Sequence, residues 1–380
     1  MKHAAGLSRR SGLRVATAVL GILALVTLGG VAWLQHPQFG KQPGGEHLAR
    51  IAQSPHYSNG AFRNLVDTPM LTTDQSRLSL MLSNTFGEKS ATRPPGPLPS
   101  VHTDLRGLDV SQDLVVWLGH SSYFVQLAGR RILIDPVFST NASPVPGTNR
   151  AFDGTSPYTA DDMPEIDVLL ITHDHYDHLD YPSIRALKSR VRQVIVGLGV
   201  GAHFEAWGHD MRTVREADWN AVVAPTPQLQ IHVTPARHYS GRTFSRDQSL
   251  WVGYALISPG RRLFFSGDSG YGPHFAEIGE RLGPFDWAGL DAGQYDPRWA
   301  HIHMNPEQAA QAAEDLRAKA LTPAHAGRFS ISPHAWDDPF KRIAAASRGR
   351  AYALWTPEIG RPIHLDGRAQ AFSRWWETVR

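Results

Sequence analysis

The 380-residue sequence contains no cysteine. That absence excludes disulfides and thiolate metal sites, so any bound metal has to be held by histidine and carboxylate. It leaves the redox compartment open. Charge of either sign is sparse: 38 Lys and Arg stand against 35 Asp and Glu, a net of +3. No basic cluster in the folded part has the character of a nucleic-acid footprint, so nucleic acid is excluded as a partner. No internal repeat of short period is visible.

Histidine, by contrast, is plentiful, at nineteen residues. Three histidines and three aspartates fall in one short stretch, Thr172-His173-Asp174-His175-Tyr176-Asp177-His178-Leu179-Asp180, and four of them, His173, His175, Asp177 and His178, are read as candidate metal ligands. An apolar run, Val168 to Ile171, precedes it and reads as a buried strand. Tyr181-Pro182-Ser183 follows and reads as a helix start with proline in the first turn. A strand-to-helix loop aims several side chains at one point above a rigid scaffold. In an extended segment His173 and His175 share a face, and a turn brings Asp177 and His178 to a second point. That spacing suits two metals. Four ligands do not close two four-coordinate sites. The best further candidates are polar residues abutting apolar strand ends: His238, Asp268 and His325.

The chain divides into three parts. Residues 1–34 carry Lys2, Arg9, Arg10 and Arg14, then twenty uncharged residues from Val15 to Leu34. That run is long enough to span a bilayer, and reads as a secretory signal or a retained anchor. Ser8-Arg9-Arg10-Ser11-Gly12-Leu13-Arg14 also has the look of a twin-arginine signal. The basic flank places the rest of the chain outside the cytoplasm, in the cell envelope. Residues 35–100 form an extension, with a short helix expected around Thr73 to Leu82, ending in a stiff Pro-rich linker at 93–99. The third part, 101–380, is the expected catalytic domain.

In that domain strands are expected at Leu114–Leu118, Ser122–Leu127, Arg131–Asp135, Arg192–Gly197, Leu229–Pro235, Ser249–Ser258, Arg262–Gly267, Phe285–Leu290 and Ala320–Pro323. A helix is expected from Asn305 as N-cap to about Ala318. Antiparallel pairs followed by strands alternating with helices predict an α/β fold of two mixed sheets packed together with helices outside.

His173-Asp174-His175-Tyr176-Asp177-His178 resembles the HxHxDH signature of the metallo-β-lactamase superfamily. Trp117-Leu118-Gly119-His120-Ser121, Ile134-Asp135-Pro136, Pro235-Ala236-Arg237-His238-Tyr239-Ser240, Phe265-Ser266-Gly267-Asp268-Ser269-Gly270-Tyr271 and His303-Met304-Asn305-Pro306-Glu307 resemble, more narrowly, the branch of N-acyl-phosphatidylethanolamine-hydrolysing phospholipase D. The resemblance spans about residues 100–345. It implies an αββα sandwich and two zinc ions per chain: His173, His175 and His238 on one, Asp177, His178 and His325 on the other, Asp268 bridging. It implies that a water activated between the metals attacks phosphorus or a carbonyl carbon, with Asp177 orienting that water. His303 would lie beside the substrate phosphate and donate a hydrogen bond there or protonate the leaving group. His120 and Asp135 would orient the ligands. Where the branch has His-Phe-Gly-Thr-Phe, this chain has His325-Ala326-Gly327-Arg328-Phe329, so Arg328 is expected near the metals as a contact for an anionic substrate. The expected substrate is an N-acyl-phosphatidylethanolamine-like lipid. The alternatives are a lactone or sugar phosphate on the same site, or a non-catalytic metal-binding role in the envelope.

Overall fold

The computed structural model describes residues 4–76, 79 and 91–380. A long helix, α1 (Ala4–Leu34), comes first. A short helix, α2 (Gly45–Ile51), and a hairpin of β1 (Tyr57–Ser58) and β2 (Ala61–Phe62) follow. Ile51, Phe62 and Leu98 are buried in the same apolar cluster as the strands beyond, so residues on both sides of position 101 share one core. The helix expected around Thr73 to Leu82 falls largely outside the described residues.

The first sheet is built from β3 (Leu114–Trp117), β4 (Tyr123–Leu127), β5 (Arg130–Ile134), β6 (Ile166–Ile171), β7 (Val191–Gly197) and β8 (Val214–Ala217), with α3 (Tyr181–Leu187) and α4 (Gly201–Ala206) in its crossovers. The second contains β9 (Val222–Thr226), β10 (Leu229–Thr234), β11 (Gly253–Ile257), β12 (Arg262–Phe265), β13 (Trp287–Asp291), β14 (Ala320–Ala324) and β15 (Ala353–Leu354). Its helices are α5 (His274–Leu282), α6 (Pro306–Asp315) and α7 (Asp338–Ala346). A last strand, β16 (Pro362–His364), returns to the first sheet beside β3. Among the described residues, each sheet has seven strands, antiparallel at one side and parallel at the other.

Alternation along the strands sorts side chains between three apolar layers. On β5, Ile132 and Ile134 enter the layer between the sheets, while Leu133 faces α3. On β12, Leu263 and Phe265 face inward and Phe264 faces α5 and α6. Each such fully buried side chain contributes about 1.5–3 kcal/mol of transfer free energy. The architecture is the αββα sandwich expected from the sequence.

Several bounds differ from the sequence reading. The strand expected from Ser249 starts only at Gly253, because 249–252 bond to the first sheet instead: Leu250 N–H donates to Leu198 O and Val252 N–H to Thr172 O. The helix expected to reach Ala318 ends at Asp315. Arg317 takes a positive φ of 54° and Ala318 N–H closes back on Ala313 O. The strand expected at Phe285–Leu290 runs from Trp287 to Asp291, which puts a carboxylate at its end. The sequence reading passed over the edge strands β8, β9, β15 and β16, and also the helices α5 and α7, although each helix buries one apolar face: Phe275, Ile278 and Leu282 on α5, Phe340, Ile343 and Ala344 on α7.

Candidate metal centre

The metal-capable side chains converge where the C-terminal ends of β5, β6, β12, β13 and β14 open between the sheets. The loop after β6 supplies His173, His175, Asp177 and His178. His178 N–H and Leu179 N–H both close on His175 O, which gives the turn that separates the first two ligands from the last two. Asp180 then caps α3, accepting from Ser183 N–H at 3.2 Å. The loops after β10, β12 and β14 bring in His238, Asp268 and His325.

Three groups form. In one, His173, His175, His238 and Asp268 place their ligand atoms together, in the second His120, Asp177, His178 and His325 do, and in the third Asp268, Asp291, His303 and His325 do. His175 Nδ1 lies 2.9 Å from His173 Nε2 and 3.2 Å from His238 Nε2. Asp268 sits between the groups: its Oδ2 is 3.7 Å from both His173 and His238 and 3.3 Å from His325, and its Oδ1 is 3.1 Å from His178. Asp177 Oδ2 lies 2.9 Å from His120 Nε2 and 3.2 Å from His325 Nε2. Three of these rings are oriented from outside. His178 Nδ1–H donates to Asp135 at 2.8 Å, His238 Nδ1–H to Ile302 O at 2.9 Å, and His173 Nδ1–H to Thr172 Oγ1 at 3.1 Å. Each therefore turns its Nε2 lone pair toward the centre.

The electrostatics match a cation. Burial holds His173 and His238 well below the usual histidine value and lowers His175 to about 4, so these rings are neutral, the form that ligates metal. Burial alone would raise Asp177 and Asp268. Charge on His178 above all outweighs it and holds both carboxylates well below their usual range. Reciprocally, His325 rises to about 10 against the pull of burial, driven by Asp268 and Asp291, and His178 rises as well. The buried carboxylates thus call for positive charge at the very atoms a divalent cation would contact. Donor set, lone-pair direction and charge all fit such ions.

Backbone strain is stored at the same place. His120, Asp135, Gln294 and His325 have φ of 55°, 43°, 53° and 57°, a region that non-glycine residues seldom occupy. A bond from His325 N–H to His120 O, 3.0 Å, ties two of them across the sheets.

His303 stands beside the cluster, 9% exposed, with Nδ1 2.8 Å from Asp291 Oδ2. Asp291 also faces His325 Nδ1 at 3.4 Å and accepts from Ser269 N–H at 3.1 Å. The sequence reading missed Asp291. The signal was present, since a carboxylate ending an apolar strand is the rule that selected Asp268. It also passed over Asp174, which accepts from Gly241 N–H at 2.7 Å and Ser249 Oγ–H at 3.0 Å and so fixes the loop between His173 and His175.

Arg328 does not join the centre. It is 2% exposed, and its Nη2 donates to Ser139 O and Ser156 Oγ, both at 3.2 Å. Its side chain lies against Gly119, away from the cleft, and burial lowers its pKa to about 10. The expected substrate contact is therefore a structural side chain that holds the 139 and 156 loops.

A cleft of about 270 Å³ lies over the ligands, lined by Tyr176, Tyr239, Arg246 and His303 among others. A second cavity of about 460 Å³, with Tyr295, His334 and Arg342 on its walls, also reaches His303.

The family model for the beta-lactamase superfamily domain matches residues 130–326, which carry every metal-capable residue of the groups above except His120. This chain belongs to the metallo-β-lactamase superfamily. An uncharacterised protein of Mycobacterium tuberculosis is 38% identical over 330 residues, covering 85% of this chain and 88% of that protein. N-acyl-phosphatidylethanolamine-hydrolyzing phospholipase D 1 of Caenorhabditis elegans is 33% identical over 228 residues, 57% of this chain and 64% of its own. Igni18, a metallo hydrolase of Ignicoccus hospitalis, superposes with a TM-score of 0.54 at 22% identity, over 68% of this chain and all of Igni18. The chemistry of this superfamily member is metal-dependent hydrolysis.

Proposed function

We propose that the protein is a zinc-dependent phosphodiesterase of the phospholipase D type, acting on N-acyl-phosphatidylethanolamine-like lipids at the outer side of a membrane in which α1 is a retained anchor. The observation that carries the reading is His303, set on Asp291 between the metal cleft and a second cavity large enough to take part of a substrate. Two relatives named as phospholipases of this type, at 33% and 31% identity, support the choice of substrate class.

His173, His175 and His238 would hold one ion, Asp177, His178 and His325 the other, with Asp268 shared. Bound there, the metal supplies Lewis-acid polarisation and a water of lowered pKa. The chain's own residues do the rest. Asp177 is ionised and pinned through one oxygen by His120 and His325, so it acts as an acceptor that orients the attacking water. Nδ1–H of His303 is committed to Asp291, which leaves Nε2 as the nitrogen available to the substrate. Protonated, it donates to the leaving oxygen, while the Asp291 carboxylate stabilises the imidazolium.

The test is release of phosphatidic acid from N-acyl-phosphatidylethanolamine by zinc-loaded enzyme. No turnover of that lipid alongside brisk turnover of a lactone or a sugar phosphate would replace this reading with the soluble-substrate one. Hydrolytic activity unchanged in His175→Ala would favour a binding role.

A further inference from the structure

The segment that leaves α1 is bonded to the metal-ligand loop through the side chains of Arg242 and His203. Residues Ala16–Leu34 have a mean hydropathy of 2.1 and none of that stretch is buried in the protein. After Leu34 the chain turns at once: His36 N–H donates to Trp33 O, and Pro37–Phe39 form a single 3-10 turn. Arg242 is 4% exposed and clamps this turn to the loop. Its Nη2 and Nε donate to Gln38 O at 2.6 and 3.2 Å, and its Nη1 donates to Asp174 O and Leu179 O at 2.7 and 2.8 Å. Trp207 Nε1–H bonds Pro37 O at 2.8 Å. Lys41 N–H bonds His203 Nδ1 at 3.0 Å, and the other nitrogen of His203 faces Asp174 at 3.4 Å. Gly40 has φ 69°, and a Cβ there would lie 2.0 Å from His203, so the fit tolerates no side chain.

Gln38 is four residues past the end of α1, which is at most about 14 Å of chain. The mouth of the cleft is therefore tied close to the point where α1 leaves the protein, without a flexible linker. Three loops meet at that mouth, and each exposes an apolar side chain: Val145 at 50%, Phe244 at 90% and Ile331 at 40%. Their neighbours Ala142, Asn149, Thr243 and Arg246, and Ile331 itself, line the cleft. The 142–149 loop is held to the same turn, Gln38 Nε2–H donating to Pro144 O at 3.1 Å. Single exposed apolar residues are ordinary. Three around one opening, continuous with a membrane-length helix, are an interfacial surface of the kind that sits at the headgroup boundary, with Arg246 among them for anionic headgroups.

We propose that residues 35–41 are a rigid strap that holds the mouth of the metal cleft against the bilayer containing α1, with Val145, Phe244 and Ile331 entering its interfacial layer. This rests on the reading of α1 as a retained membrane helix. It assigns the lipid surface as the partner of this face and delivers substrate laterally to the cleft.

The absence of native cysteine makes the test clean. Full-length Phe244→Cys, Val145→Cys and Gly260→Cys are labelled with an environment-sensitive fluorophore and reconstituted into phosphatidylethanolamine–phosphatidylglycerol vesicles that carry a lipid-bound quencher. Gly260 lies in the β11–β12 turn, at the opposite ends of the strands, with open space around its Cβ. Expected is strong quenching at 244 and 145, several-fold above that at 260. Gly40→Ala should keep the protein on floated vesicles and lower quenching at 244. Protein that floats with the vesicles but shows no more quenching at 244 than at 260 overturns the strap. Protein that does not float overturns the retained anchor. Neither result depends on lipid hydrolysis, which is read separately.

Discussion

Asp291 accepts a hydrogen bond from His303 Nδ1 at 2.8 Å, from the wall of the same cavity that opens onto the metal ligands. The carboxylate is fully buried, so it orients the ring without touching substrate. Asp291→Asn should lower kcat about 10–100-fold, the usual cost of losing such a partner, with a smaller change in KM. An unchanged kcat in a folded, metal-loaded variant would show that Asp291 does not position His303.

Removing metal should cost both activity and stability. With the buried carboxylates calling for positive charge, an ion at a hundredfold excess over its Kd stabilises the fold by about 2.7 kcal/mol. A chelator should lower Tm, and zinc should restore it. Asp268→Ala should reduce bound metal below the two ions expected per chain. Full metal content in that variant, read by elemental analysis, would show that Asp268 is no ligand.

Arg328→Ala should behave as a packing defect. Its stem fills space beside Gly119 and its guanidinium holds two loop oxygens, so a loss of about 2–4 kcal/mol is expected, as for other large truncations in a core. KM should stay within about twofold. A tenfold rise in KM at unchanged Tm would return Arg328 to the substrate.

His274, bonded to Ser269 Oγ at 3.2 Å, sets a pH dependence of its own. Burial, with help from the Arg237 charge, lowers it to about 4, against an ordinary value near 6.5. Between those values the unfolded chain binds a proton that the folded chain refuses. Stability must therefore fall as pH drops from about 6.5 to about 4, and this contribution is flat above 6.5. His274→Gln should remove up to about 1.4 kcal/mol per pH unit from the slope in that window. Denaturant midpoints at several pH values measure it, and an identical slope in wild type and variant would refute the assignment.

Gly293 shows why part of the site could not be read from the chain. A Cβ at that position would meet His325 O at 2.0 Å, so Gly293→Ala should displace a ligand 32 positions away and lower metal content. Nothing in the local sequence around Gly293 announces that approach. The ligand loop was legible because its members are adjacent in sequence and lie between an apolar run and a capped helix. His238, Asp268 and His325 were legible from the polar residue at a strand end. Asp291 obeyed the same rule and was passed over, one residue beyond the expected strand. Arg242, His203 and the turn at Gln38 act through bonds that span 29 to 204 positions, and only the folded chain brings them together. Arg328 misled for the converse reason. It sits three residues after a ligand, yet β14 has ended by then and Gly327, at φ 73°, turns the chain so that Arg328 bonds the 139 and 156 loops.

The metal-capable residues come from both sheets: His173, His175, Asp177 and His178 from the first, His238, Asp268 and His325 from the second. Ions held there would act as a rivet through the two halves of the sandwich. Each sheet has its own outer apolar layer against helices, and only the middle layer is common. Drawing the rivet would leave that middle layer, with the few backbone bonds that cross between the sheets, to resist shear between the halves. The stripped protein should then lose hydrogen-exchange protection first along β6, β12 and β14 at their site ends, while the outer layers remain closed.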